Sequence, residues 1–180
     1  ATNSAGTGAA SSPSSSVTPS APALTVSLVA GWNLIGNSYK TSIDISTLFA
    51  DSSKFTTVWK WMPESTKWAF YAPALTTQAL IDYAGTKGYD VLGTIYPGEG
   101  FWVNAKKAMD VQMPAGVEIL TPEFQPGASN QLHSGWSLIA IGEEKYPADF
   151  NSALSLTPPT AGSVASNFIT LWAWEAVGSK

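Results

Sequence analysis

The chain has 180 residues with 13 acidic and nine basic side chains, a net charge of -4, and only 12% charged residues. Its basic residues are all lysines and form no basic patch, which excludes a partner that is held by its phosphate backbone, such as a nucleic acid. The absence of cysteine excludes disulfides and thiolate metal sites, and no apolar run reaches the roughly 18 residues of a membrane-spanning helix.

Residues 1–23 form a low-complexity arm of Ala, Ser and Thr. The arm contains no aromatic side chain, no Leu or Ile and no charge, so it has nothing with which to nucleate a core. We expect a flexible or O-glycosylated stalk, or an arm held by a neighbouring subunit. The start at Ala1 rather than Met also predicts that a signal segment has been removed, which places the chain outside the cell or at its surface.

A first, complete repeat is predicted over residues 24–130. Its segments are rich in aromatic and β-branched residues and are separated by turn residues such as 97-PGEG-100. The predicted elements are a Gly-Trp strand at 28–38, a short helix at 42–50, hairpin strands at 58–61 and 67–73, and strands at 101–105 and 110–114.

A second helix is predicted over residues 76–88. Thr76 or Thr77 supplies the hydroxyl of an N-cap, and Gly85 or Gly88 ends the helix. The spacing places three residues on its apolar face, namely Leu80, Ile81 and Ala84.

Residues 131–180 are predicted to be a second, incomplete copy of the same repeat. Gly31 and Gly135 each open a Gly-Trp-polar-Leu-Ile segment, and a helical segment and a Trp-x-Trp strand follow both in the same order. We therefore expect one compact unit in which Trp32 and Trp136 occupy equivalent buried positions. The copy ends at Lys180, before the returning hairpin strand, which would leave strand 168–175 with an unpaired edge. Proteolytic trimming at Lys180 is the alternative.

These elements predict a β-rich α+β fold with antiparallel sheets and two or three short helices. The motifs 31-GWNLIG-36, 59-WKW-61, 68-WAFY-71 and 97-PGEGFWVN-104 resemble a repeated module of secreted bacterial and archaeal surface proteins. The resemblance covers residues 28–105 well and residues 132–180 in part. It implies residence in the envelope or outside the cell and a scaffolding or adhesive role, and it carries no catalytic residues to this chain.

Residue patterns for catalysis are weak. His133 is the only histidine, and the chain has no Gly-x-Ser-x-Gly motif, no calcium loop and no phosphate loop. Paired carboxylates could cleave a glycosidic bond, but no spacing favours one pair. The acids that could supply such a pair are Glu64, Asp82, Glu99 and Glu123. Because no motif supports a catalytic or metal site, the sequence predicts a protein that is not an enzyme and has no cofactor or metal.

The tryptophans have two interpretations. On a strand, Trp59 and Trp61 point to one face and Lys60 to the other. The preferred interpretation is that the indoles build the core, each burying on the order of 200 Å². The alternative is an exposed row of rings that stacks on sugars. The candidate ligand or partner surface comprises Trp59, Trp61, Trp68, Tyr71, Trp102, Trp172 and Trp174.

The leading hypothesis is a non-catalytic structural module that assembles at the cell surface, such as a filament or pilus-like subunit. Self-association, or contact with another surface protein, is expected through residues 1–23 and 168–180. The alternative is a carbohydrate-binding adhesive module with glycans as partners, and a small secreted hydrolase comes third.

Overall fold

A computed structural model describes residues 2–3, 6–7, 23–143 and 146–154. This part of the chain is β-rich with a few short helices, which confirms the predicted α+β class. Its elements are β1 Thr2–Asn3, β2 Gly6–Thr7, β3 Thr25–Leu28, β4 Gly31–Gly36, β5 Ile43–Asp44, α1 Ile45–Leu48, β6 Phe55–Met62, β7 Lys67–Tyr71, α2 Thr77–Lys87, β8 Asp90–Val91, β9 Thr94–Ile95, β10 Gly100–Ala105, β11 Met109–Gln112, a 3-10 turn Thr121–Phe124 and α3 Pro147–Leu154.

A five-stranded sheet in the order β4-β10-β6-β7-β8 organises the molecule. Its strands pair antiparallel except β7 and β8, which run parallel. The hairpin predicted around Pro63–Thr66 is present as β6 and β7, although β6 is longer than expected. Two-stranded pairings β11-β3, β5-β9 and β1-β2 complete the described strands.

One face of this sheet packs against the main core. Val58, Phe101 and Val103 point to that face and are fully buried. They join a cluster contributed by α1 and the small sheets, whose other large members include Ile43, Ile45, Phe49 and Ile95. The core is therefore built from aliphatic residues and phenylalanine.

Tryptophan contributes little to the fully buried interior. The expectation that most indoles build the core is wrong for the described residues, because none of the six tryptophans there is buried. The expectation for the two Gly-Trp segments is wrong as well, since Trp32 is 49% and Trp136 65% exposed. The neighbour of Trp32 that points inward is Asn33, whose side chain forms hydrogen bonds with the nearby backbone and is only 1% exposed.

The predicted second helix is confirmed as α2. The Thr76 hydroxyl accepts a hydrogen bond from the Ala79 amide at 3.3 Å, and Gly88 ends the helix in the left-handed region with φ of 72°. Leu80 and Ala84 are buried as expected. Ile81 is 47% exposed, so the prediction that it lies on the buried apolar face is wrong.

The helix predicted over 42–50 is shorter than expected. Residues Ile43 and Asp44 pair instead with β9, and α1 spans only Ile45–Leu48. The Asp44 carboxylate caps α1 by accepting hydrogen bonds from the Ser46 hydroxyl and the Thr47 amide. These bonds hold the pKa of Asp44 below its usual range.

The second Gly-Trp segment lies against the turn that precedes β10. The Gly100 amide donates to the Leu138 carbonyl, and the Ala140 amide donates to the Gly98 carbonyl, each at 2.9 Å. Gly31 and Gly135 share positive φ values of 94° and 96°, which is what a duplication would produce, but the duplication itself stays a prediction.

The helical segment expected after the second Gly-Trp segment is present as α3. Its Phe150 and Leu154 form a small third core with Ile119 and Phe124. The predicted strand 168–175 lies outside the described residues, as does most of the arm at 1–23. No helix in the described part of the chain is long and apolar enough to cross a bilayer.

Candidate functional site

Five aromatic side chains line an open groove of about 460 Å³ on the sheet face that lies opposite the main core. We call it the aromatic groove. Exposed apolar surface of this kind is characteristic of binding sites rather than of ordinary protein surface. Its lining residues are Trp32, Trp59, Trp68, Tyr89 and Trp102.

Strand register explains why these rings converge. In β10, Phe101 and Val103 point to the core, so Trp102 points to the other face. Trp102 lies opposite Trp59 of β6, its cross-strand neighbour on that face. Helix α2 packs over Phe70 of β7 at one side of this face. The helix therefore does not cover the part of the face that is formed by β4, β10 and β6.

The rings meet at steep angles. Trp32 and Trp102 are 6.4 Å apart between centroids with an interplanar angle of 86°, and Trp59 makes angles of 79° with Trp68 and 82° with Tyr89. Edge-to-face pairs of this type contribute about 0.5 to 1.5 kcal/mol each beyond their buried area. The rings therefore form the walls of a groove and do not lie flat in one plane.

Two polar side chains share the face with the rings. Asn104 lies opposite Trp32 on one side and opposite Thr57 on the other, so all three point the same way. Asn104 and Thr57 are both half-buried, and neither side chain has a hydrogen-bond partner among the described residues. The amide and the hydroxyl are therefore available to a ligand beside the aromatic groove.

A second depression, of about 270 Å³, lies between the end of β6, the turn before β10 and the segment 129–139. We call it the polar cleft. Lys60 lines it and is only 3% exposed, with its Nζ 2.6 Å from Glu99 Oε2. The same carboxylate oxygen accepts from the Tyr96 amide at 2.7 Å, and the Lys60 ammonium lies 5.3 Å from the centre of the Tyr96 ring. The buried ammonium is thus paired with a carboxylate that is partly exposed.

His133 lines the polar cleft but is not set up as a catalytic base. Its Nε2 lies 3.2 Å from Glu64 Oε1, and both side chains are exposed. Ser137 lines the same cleft, yet no hydrogen bond joins it to His133 in the described part of the chain. A nucleophile, a base and an acid in series are therefore not assembled here. Among the described residues, no group of three or more His, Asp or Glu side chains could hold a metal ion.

The predicted site residues fall in different places. Trp59, Trp68 and Trp102 lie together in the aromatic groove, and Trp61 lines the polar cleft. Tyr71 belongs to the opposite face, where it packs against the main core. Burial there raises the pKa of its hydroxyl, and the nearby Asp44 carboxylate raises it further. Trp172 and Trp174 lie outside the described residues.

Sequence reasoning missed Trp32 and Tyr89 as groove residues and Lys60 as an inward-pointing side chain. Alternation shows only that Trp32 and Asn33 point to opposite faces of β4, so it does not reveal which of the two is exposed. Tyr89 follows the end of α2 and carries no pattern that predicts its position.

Comparison of the chain with protein-family models, with curated proteins and with solved structures found no match. The resemblance to a surface-protein module therefore stays a prediction.

Proposed function

We propose that the protein is a non-catalytic carbohydrate-binding module that works outside the cell or at its surface and holds a glycan chain in the aromatic groove. The observation that carries the proposal is the aromatic groove itself, with four indoles and a phenol beside the unpartnered amide of Asn104 and the hydroxyl of Thr57. Sugar rings present C–H faces that pack on aromatic rings, and they present hydroxyls that need hydrogen-bond partners at their edges.

The shape of the aromatic groove supports a chain rather than a small enclosed ligand. Steeply angled indoles can contact a sugar from more than one side, and an open groove lets the chain continue beyond them. The lining carries no charged side chain, which suits a neutral polysaccharide. Ligand sites in general combine an apolar lining with a few placed polar groups, and this arrangement has both parts.

Assembly through the chain ends stays a prediction beside this proposal. Most of residues 1–23 and all of residues 168–180 lie outside the described residues, so no contact there supports a fibre. An adhesive module that binds glycans is also compatible with the surface location that the sequence predicts.

Binding should depend on Trp32, which is half exposed and lies in the wall of the aromatic groove. We expect Trp32→Ala to weaken binding to cello-, chito-, manno- or malto-hexaose by about tenfold or more in isothermal titration calorimetry, which corresponds to about 1.4 kcal/mol. Trp136→Ala is the matched control because Trp136 is also exposed but does not line the aromatic groove. Equal losses in both variants, or no binding of any of these chains to the wild-type protein, would contradict the proposal.

A further inference from the structure

The polar cleft contains hydrogen-bonding groups that have no partner among the described residues. Trp61 Nε1, Asn130 Nδ2 and Ser137 Oγ are shielded from solvent and have no partner among the described residues. A buried polar atom without a partner costs about 1 to 3 kcal/mol. Asn130 and Ser137 both belong to the lining of the polar cleft. These groups favour a ligand rich in hydrogen-bond acceptors.

Charges in and around the polar cleft cancel in pairs. Lys60 is neutralised by Glu99 at 2.6 Å, and a protonated His133 would be neutralised by Glu64 at 3.2 Å. An anionic ligand would have to compete with Glu99 for the buried ammonium, and a cationic ligand would have to compete with Lys60 for the carboxylate. Hydroxyl groups avoid both conflicts, so the preferred ligand is uncharged.

The dimensions of the polar cleft limit the ligand to about one ring. Its volume of about 270 Å³ is below the roughly 300 to 1,000 Å³ that is typical of drug-sized sites. Tyr96 lines it with a ring that is 58% exposed and offers an apolar surface for a C–H face. Trp61 in its wall is 5.4 Å from Trp68 of the aromatic groove between ring centroids, so the two sites adjoin.

We propose that the polar cleft binds a single neutral sugar unit, which forms the end or a branch of the chain held in the aromatic groove. The placement of that unit on a longer chain rests on the proposed function, whereas binding of a free sugar to the polar cleft does not. The acceptor-rich ring would pair with the amide of Asn130, the hydroxyl of Ser137 and the indole N–H of Trp61.

Indole N–H resonances in a ¹H–¹⁵N spectrum of the full chain test this directly. The probes are the methyl glycosides of glucose, galactose, mannose and N-acetylglucosamine, added to about 10 mM or more because single sugars commonly bind near the millimolar range. We expect at least one of them to shift the Trp61 resonance, which Trp61→Phe assigns by its loss. Ser137→Ala and Asn130→Ala should each weaken that binding by about three- to tenfold, the effect of one hydrogen bond.

Trp32→Ala separates the two proposals. If it abolishes binding of the hexaoses while the Trp61 shift by methyl glycosides persists, both sites are supported. A Trp61 shift without any hexaose binding supports the polar cleft and contradicts the aromatic groove. An unmoved Trp61 resonance with every glycoside overturns the inference, even if groove resonances shift. A Trp61 shift with sodium acetate but with no glycoside overturns it too, because the site would then select an anion.

Discussion

Each face of the five-stranded sheet carries some side chains of the kind usually found on the opposite face. The core face carries Asn33 and Lys60, which are 1% and 3% exposed, whereas the opposite face carries Trp32, Trp59 and Trp102, none of which is buried. Polarity alone therefore does not decide which face of a strand points inward. A polar side chain can occupy the interior when local groups satisfy it, and its apolar neighbours then turn outward.

The two inward polar residues are satisfied in different ways. Asn33 accepts from the Val29 amide at 2.9 Å and donates to the carbonyls of Val29 and Gly31 at 2.9 and 3.0 Å. Lys60 has the carboxylate of Glu99. Burial of an unpaired ammonium would cost several kcal/mol, so the ion pair is a condition for the observed register of β6.

Breaking the ion pair from the acidic side should give the largest loss of stability. Glu99→Ala leaves the Lys60 ammonium buried without its carboxylate, and we expect the free energy of unfolding to fall by about 3 kcal/mol. Urea denaturation followed by tryptophan fluorescence measures it. The double variant Lys60→Met with Glu99→Gln should recover most of the loss because no charge is then buried.

Lys54→Ala is the control for the ion pair. It removes a bridge to Asp51 in which both side chains are close to half exposed, so we expect a much smaller change than for Glu99→Ala. A loss as large as that of Glu99→Ala would show that the burial of Lys60 is not what matters.

Two adjacent residues of β4, Asn33 and Trp32, point to opposite faces of the sheet and should differ in their contribution to stability. Asn33→Ala removes three hydrogen bonds from a buried site and should cost about 2 to 3 kcal/mol. Trp32→Ala truncates a half-exposed ring and should cost about 1 kcal/mol, mainly its contact with Trp102. The cost is small because Trp32 is half exposed, whereas the sequence had predicted a buried position. Thermal unfolding of both variants shows which substitution lowers stability more. If Trp32→Ala destabilises the protein more than Asn33→Ala does, the assigned faces are wrong.

Local patterns in the sequence were sufficient for part of this architecture. The hairpin of β6 and β7, the strand β10 and the helix α2 with its Thr76 cap follow from alternation, turn residues and capping chemistry, and all are present. The inward face could not be predicted in the same way. In β4 one face carries Trp32 and Leu34 and the other Asn33 and Ile35, so each face contains apolar residues and the alternation is ambiguous.

The candidate site was only partly predictable for a related reason. Trp59, Trp68 and Trp102 were named from the density of indole in the sequence, but their convergence depends on the pairing of β10 with β6, which joins segments about 40 residues apart. The partner of Lys60 comes from a turn far away in the sequence, and nothing local to Lys60 indicates Glu99. Long-range pairing of this kind determines which face is solvent-exposed and therefore where the ligand surface lies.

Substitution of Tyr71 should have the smallest effect on stability. The pH dependence of that effect tests whether Tyr71 faces the core. Because burial and the Asp44 carboxylate raise the pKa of its phenol in the folded state, the unfolded chain loses this proton first as the pH rises. The contribution of Tyr71 to stability is fully present below the unfolded tyrosine pKa of about 10, and it is lost as the pH rises through the higher folded value. We expect Tyr71→Phe to reduce the fall in the free energy of unfolding over this alkaline range in urea titrations at successive pH values. Tyr146→Phe, which changes a phenol that is 79% exposed, should follow the wild-type curve. If the two variants have the same pH dependence, Tyr71 does not face the core, and it returns to the set of residues that a glycan could contact.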